Sequence, residues 1–143
     1  MQPLLERLMT TFPDAVRGVE VDTARNEITA RVAAARIVDV ARWLHDTPEA
    51  SFDHITDICS VDYPNDPERF EVVYQLLSLA HRRRIRLKAR VTEDAPQIAS
   101  VTGIWKGAEF MEREVYDLMG ITFVGHPDLR RILREVLAFS LKA

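Results

Sequence analysis

Cysteine occurs once in this 143-residue sequence, at Cys59, and glycine only five times. A single thiol closes no internal disulfide and falls short of the several thiolates that an iron–sulfur cluster or a structural zinc site takes. Any redox cofactor is therefore expected to belong to a partner. No G-x-G-x-x-G or G-x-x-x-x-G-K-[ST] loop is found, which argues against nucleotide sites of those types. No apolar run approaches the roughly 18 residues of a membrane-spanning helix. The start, Met1-Gln2-Pro3-Leu4-Leu5-Glu6, has neither a basic segment leading into an apolar one nor an Arg/Ser-rich transit pattern. We therefore expect a cytosolic start and no direct membrane span. A basic excess is missing too: the formal charge is −3, whereas duplex binding rests on a net basic surface.

What remains is an ordinary globular composition, 47% hydrophobic and 29% charged. A chain of this size buries about two thirds of the surface that its unfolded form exposes, enough for one stand-alone core. No repeat, low-complexity tract or linker divides it, so a single domain over residues 1–143 is expected.

Leu4, Leu5, Leu8 and Phe12 follow helical spacing up to Pro13. Residues 15–21 and 28–32 flank the polar stretch DTARN as a candidate hairpin. Ile37, Val40, Ala41 and Leu44 share one face of a second helix, with Trp43 on its flank and an end near Thr47-Pro48. Phe52, His54 and Ile58 mark a strand that leads to the turn-forming YPNDPE. Residues 70–79 are apolar at both sets of alternate positions, the pattern of a strand covered on both faces and interior to its sheet. Across the AHRRR turn, Ile85, Leu87, Ala89 and Val91 alternate with Arg84, Arg86, Lys88 and Arg90. TEDAPQ reads as a surface loop. The order α-β-β-α-β-β-β, followed by a final helix, predicts a two-layer α+β domain with a mostly antiparallel sheet and its helices on one side.

The final segment, residues 111–133, carries Glu112-Arg113-Glu114 within an amphipathic pattern. At about 100° per residue, Val115, Leu118 and Met119 group around Met111 as an apolar stripe. Glu114 falls inside that stripe, between Phe110 and Leu118, where an unpaired buried carboxylate costs several kcal/mol. Glu112 lies at the stripe's edge beside Met119, and Arg113 on the far side between Glu109 and Asp117 at i,i+4 spacing. Three accounts are open: solvation of a surface helix, an internal ion pair with Arg130 or Arg131, and a partner's cation. Our expectation assigns Arg113 to surface pairs with Glu109 and Asp117, Glu114 to an internal site near Arg130 and Arg131, and Glu112 to a partner. Glu112 and Glu114 point about 160° apart, so a two-carboxylate active site is not expected.

Glu112-Arg113-Glu114, Asp117 followed by Leu118-Met119, then His126, Arg130 and Ile132-Leu133 resemble the signature of the C-subunit family of proton-translocating NADH:quinone oxidoreductase, respiratory complex I. ITDICSVDYP and RFEVVYQLLSL resemble that family's strand–turn–strand region, so the resemblance covers most of residues 52–133. The first 50 residues fit its α-β-β-α beginning in pattern only.

The resemblance implies a non-catalytic, cofactor-free subunit of the peripheral arm. Its partners are then the quinone-site (D) subunit and the neighbouring iron–sulfur subunits. FMN and iron–sulfur clusters sit in partner subunits, and electrons pass from NADH through them to quinone. The implied place is peripheral, on the cytoplasmic face of the cell inner membrane, within an NADH:quinone oxidoreductase translocase whose C-type subunit has no activity when isolated. Glu112, Arg113, Glu114, Asp117, His126, Arg130 and Arg131 are then partner-binding or architectural residues, with none catalytic, cofactor-binding or metal-binding. Related subunits of membrane-bound nickel–iron hydrogenases and F420H2 dehydrogenases are the alternative. The family usually continues into a Gly-His-Pro-Leu-Arg-Lys stretch and an extended tail, whereas this sequence ends in REVLAFSLKA, as a shortened version, a truncation or an altered reading frame would.

Other residues attract weaker readings. The basic strand face is expected to be solvated, with an acidic partner surface as the alternative. RNA comes third, because no aromatics interleave on the basic face. His54 and His126 lack ligands at metal spacing. Cys59 is expected to be a buried structural residue. A self-contained enzyme would have to use Glu114 as a general base with its pKa raised by the apolar stripe.

Overall fold

The computed structural model describes residues 2–127. Helix α1 (Gln2–Thr11) buries Leu4, Leu5 and Leu8 and stops where Pro13 forbids a helical conformation to Phe12, whose ring still packs into the core. Strands β1 (Val16–Asp22) and β2 (Glu27–Val32) form the expected antiparallel hairpin. A 3₁₀ turn at Ala34–Arg36 leads into α2 (Ile37–Asp46), which buries Ile37, Val40, Ala41 and Leu44. Strands β3 (His54–Asp62), β4 (Phe70–Ser78) and β5 (Arg83–Val91) follow, with β4 antiparallel to both β3 and β5.

The sheet order is β1-β2-β5-β4-β3. After β2 the chain crosses to the far edge, then works back until β5 docks beside β2 in parallel, the single parallel pair of this sheet. The expectation of a mostly antiparallel sheet with β4 in its interior holds.

Alternation along the strands decides the layers. Ile28, Ala30, Ile85, Leu87, Val72, Tyr74, Leu76 and Ile58 face the helices and are buried. The opposite face carries Arg84, Arg86, Lys88 and Arg90 on β5. On β4 that face carries Glu71, Val73, Gln75 and Leu77, directly opposite those cations. Val73 is nonetheless buried, lying between Lys88 and Cys59 in the cross-strand register. Long side chains shield apolar positions with their stems while keeping their charges wet. The second apolar face of β4 is thus covered from within its own sheet.

The two turns at one end of β2 and β5 are tied together. Asn26 and Arg82 both adopt left-handed backbone conformations, φ 53° and 51°, and Asn26 Nδ2 donates to the Arg82 carbonyl at 2.6 Å. Asparagine tolerates that region at less cost than most residues.

Two features differ from the sequence-based expectation. Helix α3 (Ala108–Met119) ends at Gly120, in the left-handed region at φ 71°, whose N–H caps the Tyr116 carbonyl. The pattern read as helical over residues 111–133 therefore does not continue through the described part; residues 128–133 lie outside it. Glycine is the residue that most readily supplies this terminating geometry. At the end of the expected TEDAPQ loop the chain also forms β6 (Gln97–Ala99), a strand not anticipated, which pairs in parallel with β7 (Thr122–Val124) as a second, two-stranded sheet. Three-residue strands carry too little periodicity to be read from sequence.

Candidate functional site

Helix α3, which carries the Glu112-Arg113-Glu114 stretch, has Ala108, Glu112 and Val115 as its buried residues. Met111 and Met119 pack partly against the core, whereas Leu118 and Phe110 are exposed. The inward face is therefore rotated by about 70° from a stripe centred on Met111. That rotation exchanges the roles expected of the two acids. Glu112 is fully buried, and Glu114, expected to be internal, is exposed.

Glu112 uses both carboxylate oxygens inside the domain. Ser100 Oγ donates to Oε1 at 2.6 Å and the Val101 backbone N–H donates to Oε2 at 2.9 Å. Ser100 has one hydroxyl proton and spends it on the carboxylate, so the Thr102 hydroxyl, 2.8 Å away, donates to Ser100 Oγ. The Thr102 N–H donates to the same oxygen at 3.1 Å. The segment from Ser100 to Thr102 is thus wrapped around one carboxylate.

Burial pushes the Glu112 carboxyl above the usual carboxylate range, while the Ser100 and Val101 hydrogen bonds and the charge of His126 pull it back. Tyr74, wholly buried, is pushed up by burial and further by Glu112, and its hydroxyl meets no hydrogen-bond partner among the described residues. His126 Nε2 donates to the Glu109 carbonyl at 2.8 Å and so brings the chain after β7 back to the first turn of α3. On the other side of this segment, Trp105 is buried and its Nε1 donates to the Phe52 carbonyl at 3.0 Å. The run from Ser100 to α3 is fixed at both ends.

Of the residues expected at the site, Glu112 and His126 come together around the start of α3. Arg113 is half-buried on the same helix; Glu114 and Asp117 face solvent. Arg130 and Arg131, the expected partners of Glu114, lie outside the described residues. Ser100, Val101, Tyr74 and Trp105 were missed, because a serine and a backbone N–H before the helix carry no pattern that points at a carboxylate twelve residues on.

The remaining expectations sort as follows. Cys59 is exposed, not buried, because it lies on the open face of the edge strand β3. Burial by its neighbours and the negative Asp57 still push its thiol upward, so it is a poor thiolate. The basic strand is interleaved with acids rather than simply solvated: Arg86 pairs with Glu27 at 2.9 Å, and Arg90 with Glu71 at 3.2 Å and Asp66 at 3.5 Å. Among the described residues no group of three His, Cys, Asp or Glu side chains is placed to hold a metal ion. No described helix is long and apolar enough to cross a membrane. Glu114 stands exposed on the outer side of α3 and not in the buried position expected of it.

The arrangement binds backbone to backbone through a carboxylate and leaves that carboxylate no free oxygen for a substrate. The fold matches Nqo5, solved as its trypsin-resistant fragment 1–134, at 31% identity and a TM-score of 0.73 over 90% of this chain and 98% of that one. It also matches a chain of the membrane-bound sulfane sulfur reductase, an archaeal respiratory membrane complex, at 26% identity and a TM-score of 0.78, over 90% and 72%. Fold and site thus define a component of a multi-subunit respiratory complex.

The sequence profile described as respiratory-chain NADH dehydrogenase, 30 Kd subunit, matches residues 30–136. The C subunit of NADH-quinone oxidoreductase from Roseiflexus sp. strain RS-1 is 48% identical over 91% of this chain and 74% of its own length. The protein of the same name in Methylobacterium sp. strain 4-46 is 47% identical over 94% and 61%. The chain belongs to this family, the C-subunit family of complex I.

Proposed function

We propose that this chain is a non-catalytic subunit of the peripheral arm of a proton-translocating NADH:quinone oxidoreductase, without a cofactor of its own. In this reading it binds the quinone-site (D) subunit, beside the iron–sulfur subunits, on the cytoplasmic face of the inner membrane. The electron path from NADH through FMN and iron–sulfur clusters to quinone lies in those partners. The observation that supports it best is Glu112: a carboxylate at the centre of the helix that carries the family signature, with both oxygens spent on holding Ser100 and Val101. Such a group stiffens a scaffold rather than performing acid–base chemistry. Rigidity matters here because electron transfer depends on fixed distances between cofactors held by different subunits.

A tagged copy, expressed in its host in place of the native gene, is expected to co-purify with the quinone-site and iron–sulfur subunits. Deleting the gene is expected to abolish NADH:quinone reductase activity of the membranes. The chain purified alone is expected to show neither flavin nor iron absorbance and no NADH oxidation. Full membrane activity without the gene, or a stoichiometric cofactor on the isolated chain, would overturn the proposal. The likeness to the archaeal membrane complex supports a second reading, the equivalent subunit of a related membrane-bound assembly such as a nickel–iron hydrogenase or F420H2 dehydrogenase. The electron donor used by the co-purified complex distinguishes the two.

A further inference from the structure

The outer side of α3 is unusual for a helix so firmly held on its inner side. Phe110 is 63% exposed and Leu118 is 82% exposed, the highest value among the described exposed large hydrophobic residues. Together with Glu114 they form one i, i+4, i+8 row. Phe110 and Asp117 point about 170° from the mean direction of Ala108, Glu112 and Val115, directly away from the core. Single exposed apolar residues are ordinary, whereas two large ones on the same outward side of one helix, with carboxylates between and beside them, suit apolar anchors set in a charged surround. Val124, 53% exposed, stands two residues before His126, whose bond to the Glu109 carbonyl brings β7 to the Phe110 end of this helix. The surface is also preorganised: Glu112 pins the helix from beneath, so presenting Phe110 and Leu118 to a partner orders no backbone.

Charge identifies the kind of occupant. Glu114 and Asp117 are exposed beside the two apolar side chains, and neither carboxylate has an ion-pair partner among the described residues. We infer that this face of α3 docks a neighbouring protein subunit that offers an apolar pocket for Phe110 and Leu118, edged by a lysine or arginine that meets Glu114 and Asp117. The inference rests on the proposed function, since it names the surface by which the chain joins its complex. Anchors of this type, a large apolar side chain seated in a pocket with charges at the rim, carry most of the affinity of an interface while the rim charges set orientation and association rate.

The test uses the full chain in the assembled complex. Leu118→Cys is introduced together with Cys59→Ser, and the rate of maleimide labelling is compared between the isolated chain and the purified complex. Position 118 is so exposed that the substitution leaves the core untouched. Rapid labelling of the isolated chain and at least tenfold slower labelling in the complex are expected. In parallel, Phe110→Asp and Glu114→Lys are each expected to lower recovery of partner subunits at least fivefold, while circular dichroism and the denaturant midpoint of the isolated chain stay unchanged.

Equal labelling in both states, with the complex intact, overturns the inference and leaves the proposed function standing. Slow labelling of the isolated chain also overturns it, because a second copy or another part of the same chain then covers the face. Failure of the wild-type chain to enter any complex overturns the proposed function itself.

Discussion

Ser100 and Glu112 stand twelve positions apart in sequence and 2.6 Å apart in space, hydroxyl to carboxylate. Glu112→Gln keeps the volume but replaces one acceptor oxygen by an NH₂ group. Facing Val101, it leaves that buried N–H unsatisfied; facing Ser100, it forces the hydroxyl to accept and to turn its own proton to Thr102. The loss is expected to be about 1–3 kcal/mol. Glu112→Ala is expected to cost more, since it also leaves a cavity. Glu114→Gln, at an exposed position, is expected to stay within about 0.5 kcal/mol. Denaturant midpoints of the isolated chain check the contrast, and a larger loss at Glu114 than at Glu112 would reverse the assignment.

The same carboxyl gives the protein a pH signature. Its folded-state pKa lies above the ordinary 4.5, so between 4.5 and that raised value the folded chain holds a proton the unfolded chain has lost. Stability therefore falls as pH rises through this window and levels off above it. Carboxylates held low by a cation, such as Asp62 beside Arg69, act in the opposite sense and lose their contribution as pH falls below 3.8. They are common to wild type and Glu112→Gln. The stability advantage of wild type over the variant is accordingly expected to shrink from pH 4.5 upward. An advantage that grows with pH would show that the folded state favours the ionised carboxylate.

Tyr74 buries a hydroxyl with no described partner, in the interior strand β4. Tyr74→Phe removes the desolvated group and keeps the ring. The variant is expected to be as stable as wild type or up to about 1 kcal/mol more stable. Thermal unfolding at fixed pH measures it; a loss above about 1 kcal/mol would reveal a hydrogen bond to that oxygen in solution.

Gly120 ends α3 at φ 71°, and nothing lies within 4 Å of where a Cβ would stand. The cost of Gly120→Ala is thus conformational rather than steric crowding by neighbours, about 1 kcal/mol. Substitution of the exposed Gly103, which has no positive φ and equal space, is expected to cost less. Equal losses at the two positions would place the penalty elsewhere.

Much of the architecture was present in local patterns. Leu4, Leu5 and Leu8, then Ile37, Val40, Ala41 and Leu44, repeat at helical spacing and do face the core. The two-sided apolarity of residues 70–79 did announce an interior strand, and the arginine alternation of β5 a half-covered one. These features are readable because burial of a whole face imposes a period of 3.6 or 2 on the sequence. The signature around Glu112 likewise sufficed to place the chain in its family.

The sequence could not say which side of α3 faces in. Phe110 and Leu118 look like core residues and Glu112 like a surface one, because the pattern registers apolarity and is blind to who buries it. What reversed the assignment was tertiary: Ser100 and Val101, brought beside the helix by a small β6–β7 sheet of three-residue strands, supply the donors that make a buried carboxylate tolerable. Once that cost is met from outside the helix, the helix is free to turn its own apolar residues outward.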